Sequence, residues 1–138
     1  MQPQSIDWRG GITLGAVAGI CLGVIALVVN EVSGIIALEN GFASNLVAFT
    51  VGGAIFGLVA SGFLSLLKER LPFRSIYLKT VIVATGLWAT LEAGGIVLSA
   101  VQPDRYHFQA AQLFQGLVLS LVLGGLLGLF WKIRNRQA

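Results

Sequence analysis

Glu92 is the residue of this chain whose type and position are best suited to chemistry. It is the only charged residue between Thr80 and Pro103. It lies 13 residues beyond Lys79, which is about 20 Å along a helix and past the middle of a bilayer whose interface lies at Lys79. An ionisable group at that depth is costly and usually faces protein or a water-filled cavity. Glu92 is therefore expected to hydrogen-bond between helices, to couple the transport of protons or cations, or to contact another subunit.

Other polar side chains fall on the same predicted helix face as Glu92 or at a similar depth. Thr85 and Ser99 lie seven residues before and after it, and a separation of seven residues returns a side chain to the same helix face. In the fourth apolar stretch, Ser120 falls at a similar depth and Gln115 lies further toward the outer side. These residues predict one intramembrane polar site, which consists of Glu92, Ser120, Gln115, Thr85 and Ser99.

The remaining reactive residues give little support for catalysis or metal binding. His107 is the only histidine and its nearest acid is Asp104, so it is expected to be a solvated loop residue. Cys21 is the only cysteine, which excludes an intramolecular disulfide and favours a small packing residue. No nucleophile elbow, phosphate-binding loop or metal-binding helix motif occurs in the sequence. The chain is therefore expected to be neither an enzyme nor the carrier of a metal or another cofactor.

The composition indicates which elements must position these residues. Hydrophobic residues make up 56% of the 138 and charged residues 11%, whereas a soluble domain has about 25% charged residues. A helix needs about 20 apolar residues to cross a bilayer, and four stretches meet that length, at 11–30, 43–67, 78–101 and 110–131. The sequence predicts an all-α integral membrane protein in which residues 1–138 form a single domain, a compact up-down bundle of four transmembrane helices.

Two parts of this prediction have alternatives. The first apolar stretch could be a cleaved signal peptide, but its flank contains Asp7 and Arg9 and has no net positive charge, so we expect a retained helix. The connection at 30–42 is mostly apolar between Val32 and Leu38. It is expected to continue the first helix or to form an interfacial turn rather than to re-enter the membrane, because seven residues are too few to enter and leave it as helix.

Basic residues predict the orientation in the membrane. The connection after the second stretch carries four positive charges and one negative charge, and the segment after the fourth stretch carries three positive charges. Because Lys and Arg concentrate in cytoplasmic loops, both termini and this connection are expected in the cytoplasm, and a bacterial inner membrane is the expected location. The side chains expected to bind anionic lipid headgroups, rather than nucleic acid, are Lys68, Arg70, Arg74, Lys132, Arg134 and Arg136.

Small residues recur at every fourth position in each apolar stretch. This spacing puts them on one helix face, where glycine lets two helix backbones approach closely in a membrane. In the third stretch this face lies nearly opposite Glu92, so that helix is expected either to be central or to contact another subunit. The glycines expected to pack against other helices are Gly15, Gly19, Gly23, Gly53, Gly57, Gly86, Gly94, Gly116, Gly124 and Gly128.

Two functions are compatible with this pattern. The small-residue faces favour a non-catalytic packing, assembly or regulatory subunit of a membrane complex, or a homo-oligomer. The alternative is a small oligomeric transporter or channel in which Glu92 couples the movement of protons or cations. The sequence identifies no substrate, and the partners it predicts are the bilayer and other membrane subunits or copies of the chain.

Overall fold

The computed structural model describes residues 8–38, 40–104 and 109–137, except for the side chain of Trp8. Each of the four helices is long and apolar enough to cross a membrane, and no strand occurs in the described ranges. This confirms the all-α class and the presence of four helices that are long and apolar enough to span a membrane. The first and fourth helices extend beyond the predicted apolar stretches because the backbone hydrogen bonding of a helix continues into its polar flanks. The helices are α1 (Trp8–Ser33), α2 (Phe42–Leu67), α3 (Ile76–Val101) and α4 (Ala110–Gln137).

A turn closed by Asn30 ends α1. Gly34 has a left-handed φ of 63°, which glycine adopts without steric cost, and its N–H donates to the carbonyl of Asn30 at 2.8 Å. The buried amide of Asn30 donates to the carbonyl of Ile36 and accepts from the N–H of Ile36, both at 2.9 Å. The helix therefore continues for about one turn past the predicted apolar stretch, and no further helix precedes α2 among the described residues.

The two helices α1 and α2 are antiparallel and approach closely along their glycines. A Cβ on Gly19 would overlap the carbonyl group of Gly53, and a Cβ on Gly53 would overlap the carbonyl oxygen of Gly19. Only glycine permits contacts this close, because a side chain would separate the two backbones. This pair has the most extensive contacts between helices in the chain. Further contacts of the same kind join Gly15 to Gly57 and Gly23 to Phe49.

The other helix pair, α3 and α4, is also antiparallel, but here the glycines of α4 accommodate larger residues of α3. A Cβ on any of three α4 glycines would overlap a side chain or the backbone of the residue opposite. The notch left by each missing side chain is therefore filled from α3. The three pairs are Trp88 with Gly116, Val81 with Gly124, and Tyr77 with Gly128.

The two helix pairs meet mainly through α1 and α4, and only slightly through α2 and α3. The least covered helix is α3, whose buried residues all lie in its first half and are Thr80, Val83 and Ala84. It contacts α4 and, slightly, α2, and each of the other helices also contacts mainly two helices, so the central position expected for α3 is not observed. The core shared by the two pairs contains Ala18, Leu22, Ala60, Ala84, Leu123 and Leu127.

Two of the predicted packing glycines face no other helix among the described residues. A Cβ on Gly86 or Gly94 would meet nothing within 4 Å, and both residues are exposed. Small residues at four-residue spacing thus line a face of α3 that the rest of the described chain leaves open. A packing role for these two glycines requires a partner from outside the described part of the chain.

Candidate functional site

The residues of the predicted polar site lie on α3 and α4 at different depths. The three contacts between these helices set an antiparallel register in which Ser120 is level with Thr85 and Glu92 is level with Gln112. Ser99 lies seven residues beyond Glu92, or about 10 Å further along α3. The structure therefore spreads these side chains along the membrane normal instead of gathering them in one cluster.

The members of this set differ in burial and in hydrogen bonding. Gln115 is 5% exposed and Ser120 is 1% exposed, whereas Ser99 is half-buried. The Ser120 hydroxyl donates to the carbonyl of Leu117 at 2.7 Å, and the Ser99 hydroxyl donates to the carbonyl of Ile96 at 2.8 Å. Both hydroxyl donors are therefore satisfied within their own helices.

Several buried polar atoms at the middle of α3 and α4 are not satisfied. Thr85 Oγ1, Trp88 Nε1 and both amide atoms of Gln115 have no hydrogen-bond partner among the described residues. A buried polar group without a partner costs about 1–3 kcal/mol. Trp88 was not part of the predicted site, although its position four residues before Glu92 placed it on the same helix face. Four of the five buried side-chain atoms that lack a partner among the described residues belong to these three side chains, and the fifth is Trp131 Nε1.

A cavity of about 430 Å³ lies beside Trp88 and is lined by residues from all four helices, but not by Thr85 or Gln115. Its lining is apolar apart from Ser120 and the indole of Trp88, and Glu92 is not part of it. The cavity therefore does not connect the predicted polar residues into a continuous polar path. Its other lining residues include Gly23, Gly53, Phe56 and Gly116.

Glu92 is half-buried, and its carboxyl group has no hydrogen bond or ion pair with any described residue. It lies in the far half of α3, residues 89–101, meaning the half more distant from the loop between α2 and α3. Within this half every residue except Glu92 and Ser99 is exposed. The carboxyl group is thus positioned by a helix that the described chain covers on one side only.

Ser61 contributes a hydrogen bond between α1 and α2 that lies outside the predicted site. Its buried hydroxyl donates to the carbonyl of Gly11 at 2.5 Å. The hydroxyl of Ser65, one turn along α2, donates to the carbonyl of Ser61 at 2.9 Å. The two serines therefore reinforce the end of the α1–α2 contact near Gly11.

We expect Ser61→Ala to lower the free energy of unfolding by about 1 kcal/mol, because a hydrogen bond between transmembrane helices contributes roughly that amount. Unfolding measured by steric trapping in bicelles would test this value. Ser44→Ala is the matched control, since Ser44 is exposed on the same helix and its hydroxyl has no hydrogen bond to a described residue. Equal losses in the two variants would show that the bond to Gly11 does not stabilise the fold.

The predicted headgroup residues gather at one end of the molecule, which we call the basic end. It consists of the loop at 68–75 and the last turns of α4. The ammonium of Lys68 lies 5.3 Å from the ring centre of Trp131, and that of Lys132 lies 5.5 Å from the ring centre of Tyr77. Lysines and aromatic rings are typical of a membrane interface. Arg70, Arg74 and Arg136 are exposed, and the guanidinium of Arg134 is half-buried beside Gly10.

No group of three or more His, Cys, Asp or Glu side chains in the described ranges could hold a metal ion. His107 lies outside these ranges, so its placement in a solvated loop stays a prediction. Cys21 is half-buried and unpaired by disulfide.

No protein-family model, curated protein or solved structure matches this chain. Its function must therefore be inferred from its own geometry, above all from the uncovered far half of α3.

Proposed function

We propose that this protein is a non-catalytic membrane subunit that assembles through the far half of α3, either with copies of itself or with other membrane subunits. The exposure of residues 89–101 carries this proposal. A membrane helix can face lipid with apolar side chains, but Glu92 lies on this half, and a carboxyl group facing hydrocarbon is costly. A partner helix that covers Glu92 and offers it a hydrogen bond removes that cost.

The glycines of this half support close approach by a partner. A Cβ on Gly95 would meet nothing within 4 Å, and Gly95 lies three residues from Glu92 on the same helix face. Association of transmembrane helices depends on such small residues because there is no hydrophobic driving force between helices in lipid. The exposed apolar residues beside them, such as Leu91 and Leu98, would supply the remaining contact.

The orientation we propose has the basic end in the cytoplasm of a bacterial inner membrane. The contact of Lys68 with Trp131 supports it, because this contact brings the α2–α3 connection and the end of α4 to the same side. Both basic segments can then satisfy the preference of Lys and Arg for the cytoplasm at once. With antiparallel neighbours, an up-down arrangement has both ends of the chain on that side.

The association is tested by substitutions at Glu92. We expect Glu92→Gln to retain the oligomer or complex, because an amide donates a hydrogen bond as a protonated carboxyl does. Glu92→Leu should weaken association about three- to twentyfold, the loss of one interhelical hydrogen bond. Association can be measured by energy transfer between labelled copies in nanodiscs, or by co-purification in a mild detergent.

Gly95→Leu is the steric counterpart of this test, and we expect it to weaken the same association, because Gly95 lies on the same helix face as Glu92. Gly125→Leu on α4 is its control, because a Cβ on Gly125 would also meet nothing within 4 Å but this glycine lies outside the proposed surface. Unchanged association in both Glu92→Leu and Gly95→Leu would show that the far half of α3 is not the assembly surface.

The unpartnered polar atoms of Thr85, Trp88 and Gln115 favour the second candidate, a small oligomeric transporter or channel for protons or cations. In that function, polar groups without partners in the single chain would line a path completed by another subunit, with Glu92 as the coupling residue. The transporter predicts a proton or cation flux in liposomes that Glu92→Gln abolishes. Absence of flux, or flux unaffected by this substitution, would reject it.

A further inference from the structure

We propose that the groove between α2 and α3 at the basic end binds one acyl chain of an anionic phospholipid, whose phosphate contacts Arg70 and Arg74. This inference does not depend on the proposed function, because the groove lies between α2 and α3 and only its end, at Thr90, reaches the far half of α3. The proposed site combines an apolar groove about as long as one bilayer leaflet is deep with two arginines at its opening, which we call the mouth of the groove.

The groove exists because α2 and α3 scarcely touch. It has a volume of about 330 Å³ and is open to the surroundings along one side. Leu67 and Leu71 line it at the basic end, and Thr90 lines it at the other end. Gly86 lies between these two ends, and a Cβ on it would meet nothing within 4 Å. The middle of the groove is therefore open because Gly86 has no side chain.

The length of the groove matches one leaflet of a bilayer. Its lining on α3 runs from Ile82 to Thr90, which is about 12 Å of helix rise. The hydrocarbon of one leaflet is about 15 Å deep, half of the bilayer core. An acyl chain whose headgroup lies at the basic end would therefore follow the groove to the middle of the membrane.

The mouth of the groove has the charge that an anionic headgroup requires. Leu71 lies between Arg70 and Arg74 in the chain, and both arginines are exposed, with no hydrogen bond or ion pair from either guanidinium to a described residue. The neighbouring lysines are already engaged, because Lys79 Nζ donates to the carbonyl of Lys68 and the Lys68 ammonium lies over an indole ring. The arginines are therefore the groups placed to bind a phosphate, often in a bidentate geometry.

The start of α3 adds a second attraction for an anion at the same level. Its N-cap residue, Ser75, makes no side-chain hydrogen bond to the helix, so the first N–H groups of α3 are uncapped by that side chain. These groups and the helix dipole attract negative charge.

A second copy of this chain fits the mouth poorly, because in a parallel dimer it would bring the same excess of positive charge to the same side.

Native mass spectrometry of the full chain, titrated with phosphatidylglycerol or phosphatidylcholine of identical acyl chains, tests the proposal. We expect tighter binding of phosphatidylglycerol. Arg70→Gln and Arg74→Gln should each weaken it about fivefold, with little effect on phosphatidylcholine. Gly86→Leu should weaken binding of both lipids because it fills the groove. The controls are Arg9→Gln, which removes one exposed charge elsewhere, and Gly125→Leu, which adds the same side chain at another open glycine.

Three outcomes would overturn the proposal. Equal weakening by Arg9→Gln would show that the protein attracts anionic lipid without a site. Binding of inorganic phosphate that competes with phosphatidylglycerol, together with no effect of Gly86→Leu, would show a phosphate site that does not use the groove. Absence of bound lipid, with a changed oligomeric state in Gly86→Leu, would show that a second copy occupies the groove.

Discussion

Replacing Gly53 with alanine is expected to lower the free energy of unfolding by about 1–3 kcal/mol, the usual range for overpacking a close contact. The new Cβ would overlap the carbonyl oxygen of Gly19 and lie 2.8 Å from the backbone nitrogen of Gly23. These atoms belong to the backbone of α1 and cannot rotate away as a flexible side chain can. The two helices would have to separate, and the loss of contact would extend along the whole pair.

Gly52→Ala is the control for this experiment, because it makes the same chemical change one residue earlier. A Cβ on Gly52 would meet nothing within 4 Å. Gly52→Ala therefore changes the helix propensity as Gly53→Ala does, but it creates no overlap with α1. Steric trapping or thermal unfolding in bicelles would compare the stabilities of Gly53→Ala and Gly52→Ala.

Gly19→Leu and Gly124→Leu should have larger effects and disrupt folding or assembly. Normal stability in both variants would refute close packing at these positions.

Replacing Asn30 with leucine is expected to lower the free energy of unfolding by about 1–3 kcal/mol, because it removes both hydrogen bonds that its side chain makes to the backbone of Ile36, each of which contributes roughly 0.5–1.5 kcal/mol. Asn30 is 1% exposed and makes both hydrogen bonds at 2.9 Å. No other side chain in the described connection bonds to Ile36. The turn after α1 should therefore loosen as well as the fold as a whole.

Amide hydrogen exchange separates the local part of this effect from the global part. In Asn30→Leu we expect the Ile36 amide to exchange much faster, under conditions where the amides of α3 and α4 keep their protection. Asn40→Leu is the matched control, because Asn40 is exposed and only its backbone carbonyl is used, as the acceptor for Asn45. Equal exchange at Ile36 in wild type and Asn30→Leu would show that the paired hydrogen bonds do not hold the turn.

These predictions concern a part of the molecule that differs from the proposed assembly surface. Backbone contacts, the hydroxyl of Ser61 and the amide of Asn30 stabilise α1, α2 and the turn between them, whereas α3 is held by side chains that fill the notches of α4. Substitutions in the far half of α3 should therefore alter association and leave the α1–α2 pair intact. Distant sites without shared partners have additive effects on stability, which makes this separation measurable.

The number and bounds of the helices were predictable because the length of an apolar stretch is a local property of the chain. Each predicted stretch lies inside one observed helix. The C-terminal ends of α1 and α4 were the exceptions, since these helices continue three and six residues beyond their predicted apolar stretches. Asn30 followed by Gly34 is a recognisable helix-end signal, but the pairing of Asn30 with Ile36 depends on how the chain turns beyond it.

The predicted polar site was harder to derive. Helical periodicity placed Thr85, Glu92 and Ser99 on one face, but periodicity carries no information about which side chains of a second helix lie at the same level. That level follows from the register of α3 against α4, which the notches at Gly116 and Gly124 set. Register depends on contacts between residues far apart in sequence, so the sequence alone did not show that Ser120 lies level with Thr85 rather than with Glu92.

By itself the sequence determined that four apolar helices form, that their basic residues cluster in two segments, and that each helix carries a face of small residues. Only the tertiary structure decided which of these faces are used. The faces at Gly19 and Gly53 meet each other, and the face at Gly86 and Gly94 meets no described residue. The reason is physical: glycine spacing permits a close contact wherever it occurs, but a contact forms only where a second helix with matching shape lies opposite.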